Sequence, residues 1–283
     1  MARHDRDLAR ARHGDSPLEA TQMSSPKTAF LAARSENTDC RSWAGRAKVG
    51  TCGFGLAKDA YAKAFSCVEV QHTFYQPPQP STLERWRREM PADFEFTLKA
   101  WQLITHDARS PTFRRLKRKL AESEKEEAGY FRPTATVREA WEVTRAAARI
   151  LGAKTILFQC PASFRQTKEN IANLEKFFSA IDRQDLNLCW EPRGNWDNAI
   201  VASICAALEL CHVVDPFVAK TMTHSRCYFR LHGRHGWRYQ YESGELEELA
   251  ADLPKQGGYV FFNNSRMTED AMKFCEVLRN REA

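Results

Sequence analysis

The feature that most constrains the fold is an alternation of short apolar runs with longer stretches of helical periodicity. From residue 48 onward the chain contains eight runs rich in apolar and β-branched residues, and most are followed by a stretch with apolar residues three or four positions apart. The runs cover residues 49–53, 67–72, 94–100, 155–160, 187–191, 211–215, 227–232 and 259–263. The helical stretches cover residues 57–64, 81–90, 137–151, 167–183, 198–210, 243–253 and 268–279. This alternation favours a parallel sheet, and eight strands in one body favour closure, so the sequence predicts an α/β fold, a TIM-like (β/α)8 barrel of parallel strands.

Local signals predict several helix ends. Thr167 with Asn170, and Ser81 with Glu84, have the residue types and spacing of N-terminal caps. Gly152 provides a stop directly after the stretch 137–151, because glycine readily adopts the left-handed conformation that ends a helix.

Two connections depart from the regular spacing. Only 11 residues separate the sixth run from the seventh, which predicts an irregular loop or a single helical turn there. The third and fourth runs are 54 residues apart, which predicts a helical insertion at about residues 108–135. Within it Phe113, Leu116 and Leu120 have amphipathic spacing, so we expect a helix over residues 113–127 with a charged face. That face is either solvated or a basic patch that contacts phosphates.

Composition separates a tail from the barrel. Residues 1–47 carry many charged and small polar residues without a sustained apolar period, which predicts a disordered or extended N-terminal tail. Residues 48–283 then form a single barrel domain, and a chain of 283 residues with 43% hydrophobic residues can bury a core without disulfides or metals. The net charge of +6 suits anionic ligands without requiring nucleic acid.

The cysteine pattern bears on the redox environment. The chain has nine cysteines, no C-x-x-C pair, and most cysteines stand singly within apolar runs. These spacings support neither a zinc cluster nor a disulfide framework, which indicates a reducing compartment. With no apolar stretch long enough for a secretory signal or a membrane span, we expect a cytoplasmic protein that does not associate with membranes.

Polar residues concentrate at the ends of the predicted strands. In a barrel of parallel strands, the loops after the carboxyl ends of the strands form the active site. Because successive side chains of a strand point to opposite faces, apolar neighbours packed against the helices direct the intervening polar residues into the barrel. The residues so directed are Glu69, Lys99, Glu191, Arg230 and His232. Ionised groups in that position must pair with each other or bind a ligand.

These segments resemble a known family. The segments GTCGF (50–54), VEVQHTFY (68–75), FEFTLKAWQLITH (94–106), LFQCPASF (157–164), WEPRGNW (190–196), YFRLHG (228–233) and VFFNN (260–264) are similar, in order, to the motifs of the YecE-like family, also called domain of unknown function 72. The resemblance implies a TIM-barrel-like fold and no settled reaction. By position, the family's polar motif residues match Glu69, Lys99, Thr105, His106, Gln159, Glu191, Arg193, Arg230, His232, Gly233, Asn263 and Asn264.

The candidate roles follow from residue type. Lys99, Arg193 and Arg230 can hold a phosphate or carboxylate, with internal ion pairing to glutamates as the alternative. Glu69 or Glu191 can act as a base and His232 as an acid, and structural pairing is again the alternative. The substrate-binding candidates are His72, Tyr75, Lys99, His106, Gln159, Arg193, Asp215, Arg230, Asn263 and Asn264.

Two further chemistries are open at the same residues. The acids and histidines have the ligand types for a divalent metal, although no spacing dictates such a site, and no other cofactor is indicated. Cys52 and Cys189 could be nucleophiles, but single thiols within apolar runs are more typical of inert buried groups.

The leading hypothesis is an enzyme, a hydrolase or lyase, that binds a small anionic substrate, phosphate-bearing or sugar-like, and uses acid/base or phosphoester chemistry. The alternatives are a nucleic-acid-binding or processing protein, indicated by the basic run RRLKRKL, and a ligand-binding barrel without catalysis. The oligomeric state stays open.

Overall fold

A closed barrel of parallel strands forms the body of the protein. The structure, a computed structural model, describes residues 47–224 and 226–282. The strands in these ranges are β1 (Lys48–Thr51), β2 (Cys67–Val70), β3 (Glu95–Lys99), β4 (Thr155–Gln159), β5 (Asn187–Glu191), β6 (Cys211–His212), β7 (Cys227–Leu231) and β8 (Gly258–Phe262). They form two continuous parallel ladders, β1-β8-β7 and β2-β3-β4-β5-β6. The α/β barrel predicted from the alternation is therefore confirmed.

Two single bridges join the ladders and close the barrel. Cys52 pairs with Glu69 on one side, where the Gly53 N–H donates to the Glu69 carbonyl at 2.8 Å. Val214 pairs with Phe229 on the other side, where the Arg230 N–H donates to the Val214 carbonyl at 3.0 Å. Strand β6 is shorter than predicted because only this bridge continues it beyond His212.

Helices surround the barrel. In the described residues they are α1 (Lys58–Ala64), α2 (His72–Tyr75), α3 (Pro80–Glu89), α4 (Gln102–Thr105), α5 (Glu122–Glu127), α6 (Ala135–Leu151), α7 (Lys168–Ala180), α8 (Asn198–Ala207), α9 (Ser243–Ala251) and α10 (Met267–Glu282). The Thr167 side chain caps α7 by accepting from the Asn170 N–H, and Gly152 ends α6 at φ 68°, as predicted. The predicted Ser81 cap is wrong, because Pro80 starts α3 with its fixed φ and Gln79 becomes the N-cap.

The insertion after β3 is less helical than predicted. The single helix expected over residues 113–127 is instead a short 3-10 helix, Pro111–Arg115, and the separate α5. A continuous helix would bring like charges of the run RRLKRKL together at i, i+4 spacing, for example Arg114 with Arg118, which is unfavourable. The non-helical path still lets Leu116 and Leu120 pack against the core. The connection from β6 to β7 is irregular over its described residues, as predicted.

Apolar side chains pack on both faces of the barrel wall, in two clusters. The larger cluster lies between strands and helices and includes Val68, Val70, Leu188, Trp190, Phe229 and Leu231. The smaller cluster fills the barrel interior and contains Cys52, Cys67, Leu157, Cys189, Val213, Tyr228 and Phe261. This division confirms the predicted inward and outward faces of β2, β5 and β7.

The barrel interior is crowded enough to require glycine at one strand position. A Cβ atom on Gly50 would lie 2.5 Å from the Cys67 carbonyl oxygen and 3.0 Å from the Phe261 ring. A larger residue at this position must displace backbone, which closely packed interiors resist.

The predicted N-terminal tail, residues 1–47, lies outside the described residues except for its last residue, Ala47.

The cysteines agree with the prediction except at one position. Seven described cysteines are free thiols, whereas Cys275 is disulfide-bonded, which residue spacing could not reveal. Within the described ranges, no helix combines the length and the apolar character needed to cross a membrane.

Candidate functional site

A fully buried guanidinium occupies the carboxyl end of the barrel interior. Arg230 on β7 has 0% exposure. Its Nε and Nη2 donate to the two carboxylate oxygens of Glu69 at 3.0 and 2.9 Å, a bidentate pair. Its Nη1 donates to Glu191 at 2.6 Å and to Gln159 at 3.1 Å. The structure therefore shows the ion-pairing alternative for Arg230, since its donors are already used inside the protein.

The Glu69 carboxylate is equally committed. Besides Arg230, it accepts hydrogen bonds from the Tyr228 hydroxyl at 2.6 Å and from the Gln71 amide. The Tyr228 hydroxyl also lies 2.9 Å from the Thr97 hydroxyl on β3. Glu69 is fully buried, so this arrangement favours structural pairing over the expected role as a base. Tyr228 and Thr97 were not among the residues predicted from the sequence, although Tyr228 shares the inward face of Arg230.

The polar network reaches solvent through Arg193 and His232. Glu191 binds Arg193 as well as Arg230, with its Oε1 2.8 Å from Arg193 Nε. Arg193 Nη2 lies 2.7 Å from His232 Nε2, and the side chains of Arg193 and His232 are 39% and 25% exposed. Burial raises the pKa of Glu191, but attraction to Arg230 and Arg193 outweighs burial and holds that pKa at about 2. Glu191 is therefore an ionised anchor for both arginines.

The hydrogen bonds of His232 define its tautomer. A guanidinium only donates, so His232 Nε2 accepts from Arg193 and the ring proton resides on Nδ1. Asp215 Oδ2 lies 3.7 Å from Nδ1 and accepts the His232 backbone N–H at 2.9 Å. The Asp215 carboxylate thus lies on the Nδ1 side of the imidazole, while Nε2 faces Arg193 and, at 3.3 Å, Nη1 of the buried Arg230.

Lys99 lies beside this network without joining its hydrogen bonds. Its Nζ is 3.5 Å from the centroid of the Phe74 ring, and the residue is only 5% exposed. Burial, followed by repulsion from Arg230, lowers the pKa of Lys99 to about 7, and attraction to Glu191 and Glu69 offsets this only in part.

His106 packs against the same aromatic ring as Lys99. The His106 ring packs edge-on against Phe74 at 4.8 Å, and its Nδ1 lies 2.8 Å from the Thr105 hydroxyl. Burial and the positive charges of Lys99 and Arg193 lower the pKa of His106 to about 3, so its ring is neutral at pH 7.

His72 and Tyr75, two more residues predicted from the sequence, lie next to the insertion. Arg115 of the insertion stacks over the Tyr75 ring at 3.5 Å. Burial and the charge of Arg115 lower the pKa of His72. The insertion thus contacts the rim that His72 and Tyr75 form.

The asparagines after β8 are not joined to the network. The Asn264 amide donates at 2.7 Å both to the Tyr239 carbonyl and to Asp270, which fixes the start of α10. Asn263 donates its backbone N–H to the Leu231 carbonyl at 2.8 Å and is partly exposed. Neither contact brings these two expected ligands to Arg193 or His232.

The described residues of the site form neither a metal-binding cluster nor an activated thiol. In the described part of the chain, no three His, Cys, Asp or Glu side chains are grouped to hold a metal ion. Burial raises the pKa of the Cys52 thiol, and a hydrogen bond to Cys211 together with burial raises that of Cys189. Both thiols therefore stay protonated, as inert buried groups do.

Comparison with known proteins defines the family. The sequence profile of the family described as protein of unknown function DUF72 matches residues 41–283. The chain belongs to the DUF72 family. The UPF0759 protein YecE of Escherichia coli K12 is 40% identical over 50 residues, which is 18% of the length of each protein.

Solved structures of DUF72 proteins agree with the fold. One from Enterococcus faecalis superposes with a TM-score of 0.63 and 20% identity, over 82% of this chain and 95% of that one. One from Thermotoga maritima has a TM-score of 0.61 and 23% identity, over 83% of this chain and 99% of that one. At these identities the comparison supports the fold alone.

Proposed function

We propose that this DUF72 protein is an enzyme that binds a small anionic substrate at the carboxyl end of the barrel, with His232 as the group that transfers a proton. The observation that carries the proposal is the Arg193–His232 contact of 2.7 Å at the exposed end of an otherwise buried charge network. A cation and an imidazole in contact at the mouth of a barrel are the groups that anion binding and acid/base chemistry need.

Substrate binding and proton transfer are coupled in this arrangement. An incoming phosphate or carboxylate competes for the Arg193 N–H groups, since charge-assisted bonds to an anion are stronger than a bond to a neutral ring. When Arg193 Nη2 donates to the anion instead, His232 Nε2 keeps only its longer contact of 3.3 Å to Arg230 Nη1 and can accept a proton from the substrate or from an attacking water. Asp215, 3.7 Å from Nδ1, then stabilises the imidazolium, which can return the proton to the leaving group.

The buried groups hold this pair in position. The ionised Glu191 fixes the Arg193 guanidinium at 2.8 Å, and Arg230 fixes Glu191 in turn. In this proposal Glu191 positions Arg193, and Glu69 with Arg230 forms the rigid base of the site. The same machinery fits proton transfer on a sugar-like group or hydrolysis of a phosphoester, so the substrate class is anionic and either phosphate-bearing or sugar-like.

A binding experiment tests the anion site. Inorganic phosphate is titrated into the wild-type protein, Arg193→Gln and the control Arg149→Gln, which removes an exposed arginine on α6. We expect binding in the wild type and the control, and a loss of at least about tenfold in affinity for Arg193→Gln. Equal binding by all three proteins would remove Arg193 from the proposal.

An activity experiment tests the proton transfer. Sugar phosphates and phosphodiesters are offered to the wild type and to His232→Gln, with and without added Mn²⁺, Mg²⁺ or Zn²⁺. We expect turnover that His232→Gln lowers by about 100-fold or more, in the range of lost acid/base catalysis. Turnover that is unchanged in His232→Gln would contradict the assigned role.

A second candidate function is binding of nucleic acid along the insertion. Arg114, Arg115, Lys117 and Lys119 are exposed, and Arg115 already stacks on the rim residue Tyr75 at 3.5 Å. Cations interleaved with aromatic rings are typical of surfaces that track single strands. Binding of single-stranded DNA or RNA that weakens about tenfold or more between low and moderate salt would support this function. No binding at low salt would exclude it.

A further inference from the structure

Lys99 is a buried amine whose potential partners are already bound elsewhere. In the described residues, no carboxylate or hydrogen-bond acceptor binds its Nζ, and the Phe74 ring covers it at 3.5 Å. The two acids whose charges act on it are already paired, because Glu69 binds Arg230 through both oxygens and Glu191 binds Arg230 and Arg193. The barrel thus places an unpaired lysine at the carboxyl end of β3.

Burial and the charge of Arg230 oppose the protonation of Lys99. Burial has the largest effect and repulsion by Arg230 on β7 the next, while Glu191 and Glu69 attract a positive charge at Nζ and Arg193 repels it more weakly than either attracts it. His106, whose ring packs edge-on against Phe74, is neutral at pH 7 and adds no charge near Nζ. A lysine that is desolvated and next to other cations has a reactive lone pair near neutral pH. This is consistent with its lowered pKa of about 7.

The geometry points to Lys99 as a nucleophile that forms an imine with a carbonyl compound carrying an anionic group. The inference rests on the proposed function, because Arg193 supplies the binding site for the anionic group. It narrows the substrate class to aldehydes and ketones that also bear a phosphate or carboxylate, such as open-chain sugar phosphates and oxo acids. It also gives Lys99 a covalent role in place of the expected electrostatic one.

The chemical step balances without an added cofactor. The neutral Nζ lone pair attacks the carbonyl carbon, and the C=O π electrons move to oxygen. The nitrogen then loses a proton and the oxygen takes one up, which gives a neutral carbinolamine. A second proton transfer converts the hydroxyl group to water as it leaves, and the nitrogen lone pair forms the C=N bond. The net reaction joins amine, carbonyl compound and one proton from solvent to give an iminium ion and one water molecule. No group is oxidised or reduced.

Trapping with a hydride donor tests the imine. The full-length wild-type protein is incubated at pH 7 with glyoxylate, an anionic aldehyde, and sodium cyanoborohydride, which reduces the iminium ion to a stable secondary amine. Proteolysis and mass spectrometry then measure modification at Lys99 and, in the same sample, at the exposed Lys117. We expect Lys99 to react about tenfold faster than Lys117, because an ordinary lysine is almost entirely protonated at this pH.

The pH dependence gives an independent readout. The rate at Lys99 should reach a plateau above about pH 8, whereas the rate at Lys117 should continue to rise with pH. Lys99→Arg should abolish the adduct at this position while the protein keeps the wild-type circular dichroism spectrum. Folded wild-type protein whose Lys99 stays unmodified overturns the inference, whatever the variant does.

A neutral aldehyde separates this inference from the proposed function. With propionaldehyde in place of glyoxylate, we expect the ratio of trapping at Lys99 to trapping at Lys117 to fall in the wild type, and to be the same with both aldehydes in Arg193→Gln. Phosphate binding without any adduct at Lys99 would refute the imine and leave the proposed anion site standing. A ratio of Lys99 to Lys117 trapping that exceeds one and is the same with both aldehydes in the wild type would support the reactive amine and refute the requirement for an anionic group.

Discussion

Replacement of Lys99 by methionine should stabilise the protein most at acidic pH. Methionine keeps a side chain of similar length against Phe74 and removes the charge. In the folded wild type, burial lowers the pKa of Lys99 to about 7, against its ordinary value of 10.5. The unfolded chain therefore binds more protons than the folded chain between these two pH values. Consequently, the free energy of unfolding of the wild type rises with pH across this window.

The size of the stability difference follows from the shift in the pKa of Lys99. Below pH 7 the full shift applies, and at 1.4 kcal/mol per pH unit it costs the wild type about 5 kcal/mol. At pH 9 about 2 kcal/mol of that cost is left, because the unfolded lysine is still mostly protonated while the folded one is neutral. The stability advantage of Lys99→Met over the wild type should thus be about 3 kcal/mol larger at pH 5 than at pH 9.

Urea denaturation at pH 5 and pH 9 measures this difference. The control is Lys117→Met, which removes an exposed lysine of the same barrel domain and should change stability by the same small amount at both pH values. The comparison between pH values cancels packing effects of methionine that do not depend on titration. An advantage of Lys99→Met that is equal at the two pH values would refute the reasoning, because Lys99 would then be equally protonated in both states.

Three further variants test the barrel. Glu69→Gln should lower the free energy of unfolding by about 3–5 kcal/mol in urea denaturation, because it leaves the buried Arg230 without its bidentate partner; a loss under about 1 kcal/mol would contradict this. Gly50→Ala should lower the melting temperature, since its Cβ would lie 2.5 Å from a strand carbonyl oxygen. The matched Gly244→Ala, in α9 with nothing within 4 Å of its Cβ, should leave it unchanged or raise it. Thr167→Ala should cost about 1 kcal/mol of stability by removing the cap of α7, and an unchanged denaturation midpoint would show that the cap contributes nothing.

The regular part of the fold was accessible to sequence reasoning because its signals are local. Apolar alternation on β2, β5 and β7 predicted which side chains face the barrel interior, and the two core clusters confirm it. Failures occurred where a neighbouring constraint was stronger than the local signal. Pro80 displaced the expected cap at Ser81, and repulsion within RRLKRKL separated the expected helix of the insertion into two short pieces.

The candidate site was predicted as a set of residues and only in part as a set of roles. Glu69, Lys99, Glu191, Arg230 and His232 do occur together at one end of the barrel. Lys99 and Arg230 were predicted to share one anion-binding role, yet Arg230 is paired with two carboxylates and Lys99 packs on an aromatic ring. Asn264 was expected among the ligands and instead binds Asp270 at the start of α10.

The fold was easier to predict than the roles of the site residues because the two depend on contacts at different separations along the sequence. Strand and helix periodicity, and therefore the barrel and its inward-facing charges, depend on residues a few positions apart. The partners of Arg230 are 161 and 39 residues distant along the chain, and only closure of the barrel decides that both acids reach it. The protonation of Lys99 depends on which charges are left unpaired after those ion pairs have formed. It is consequently a property of the folded molecule that no local pattern encodes.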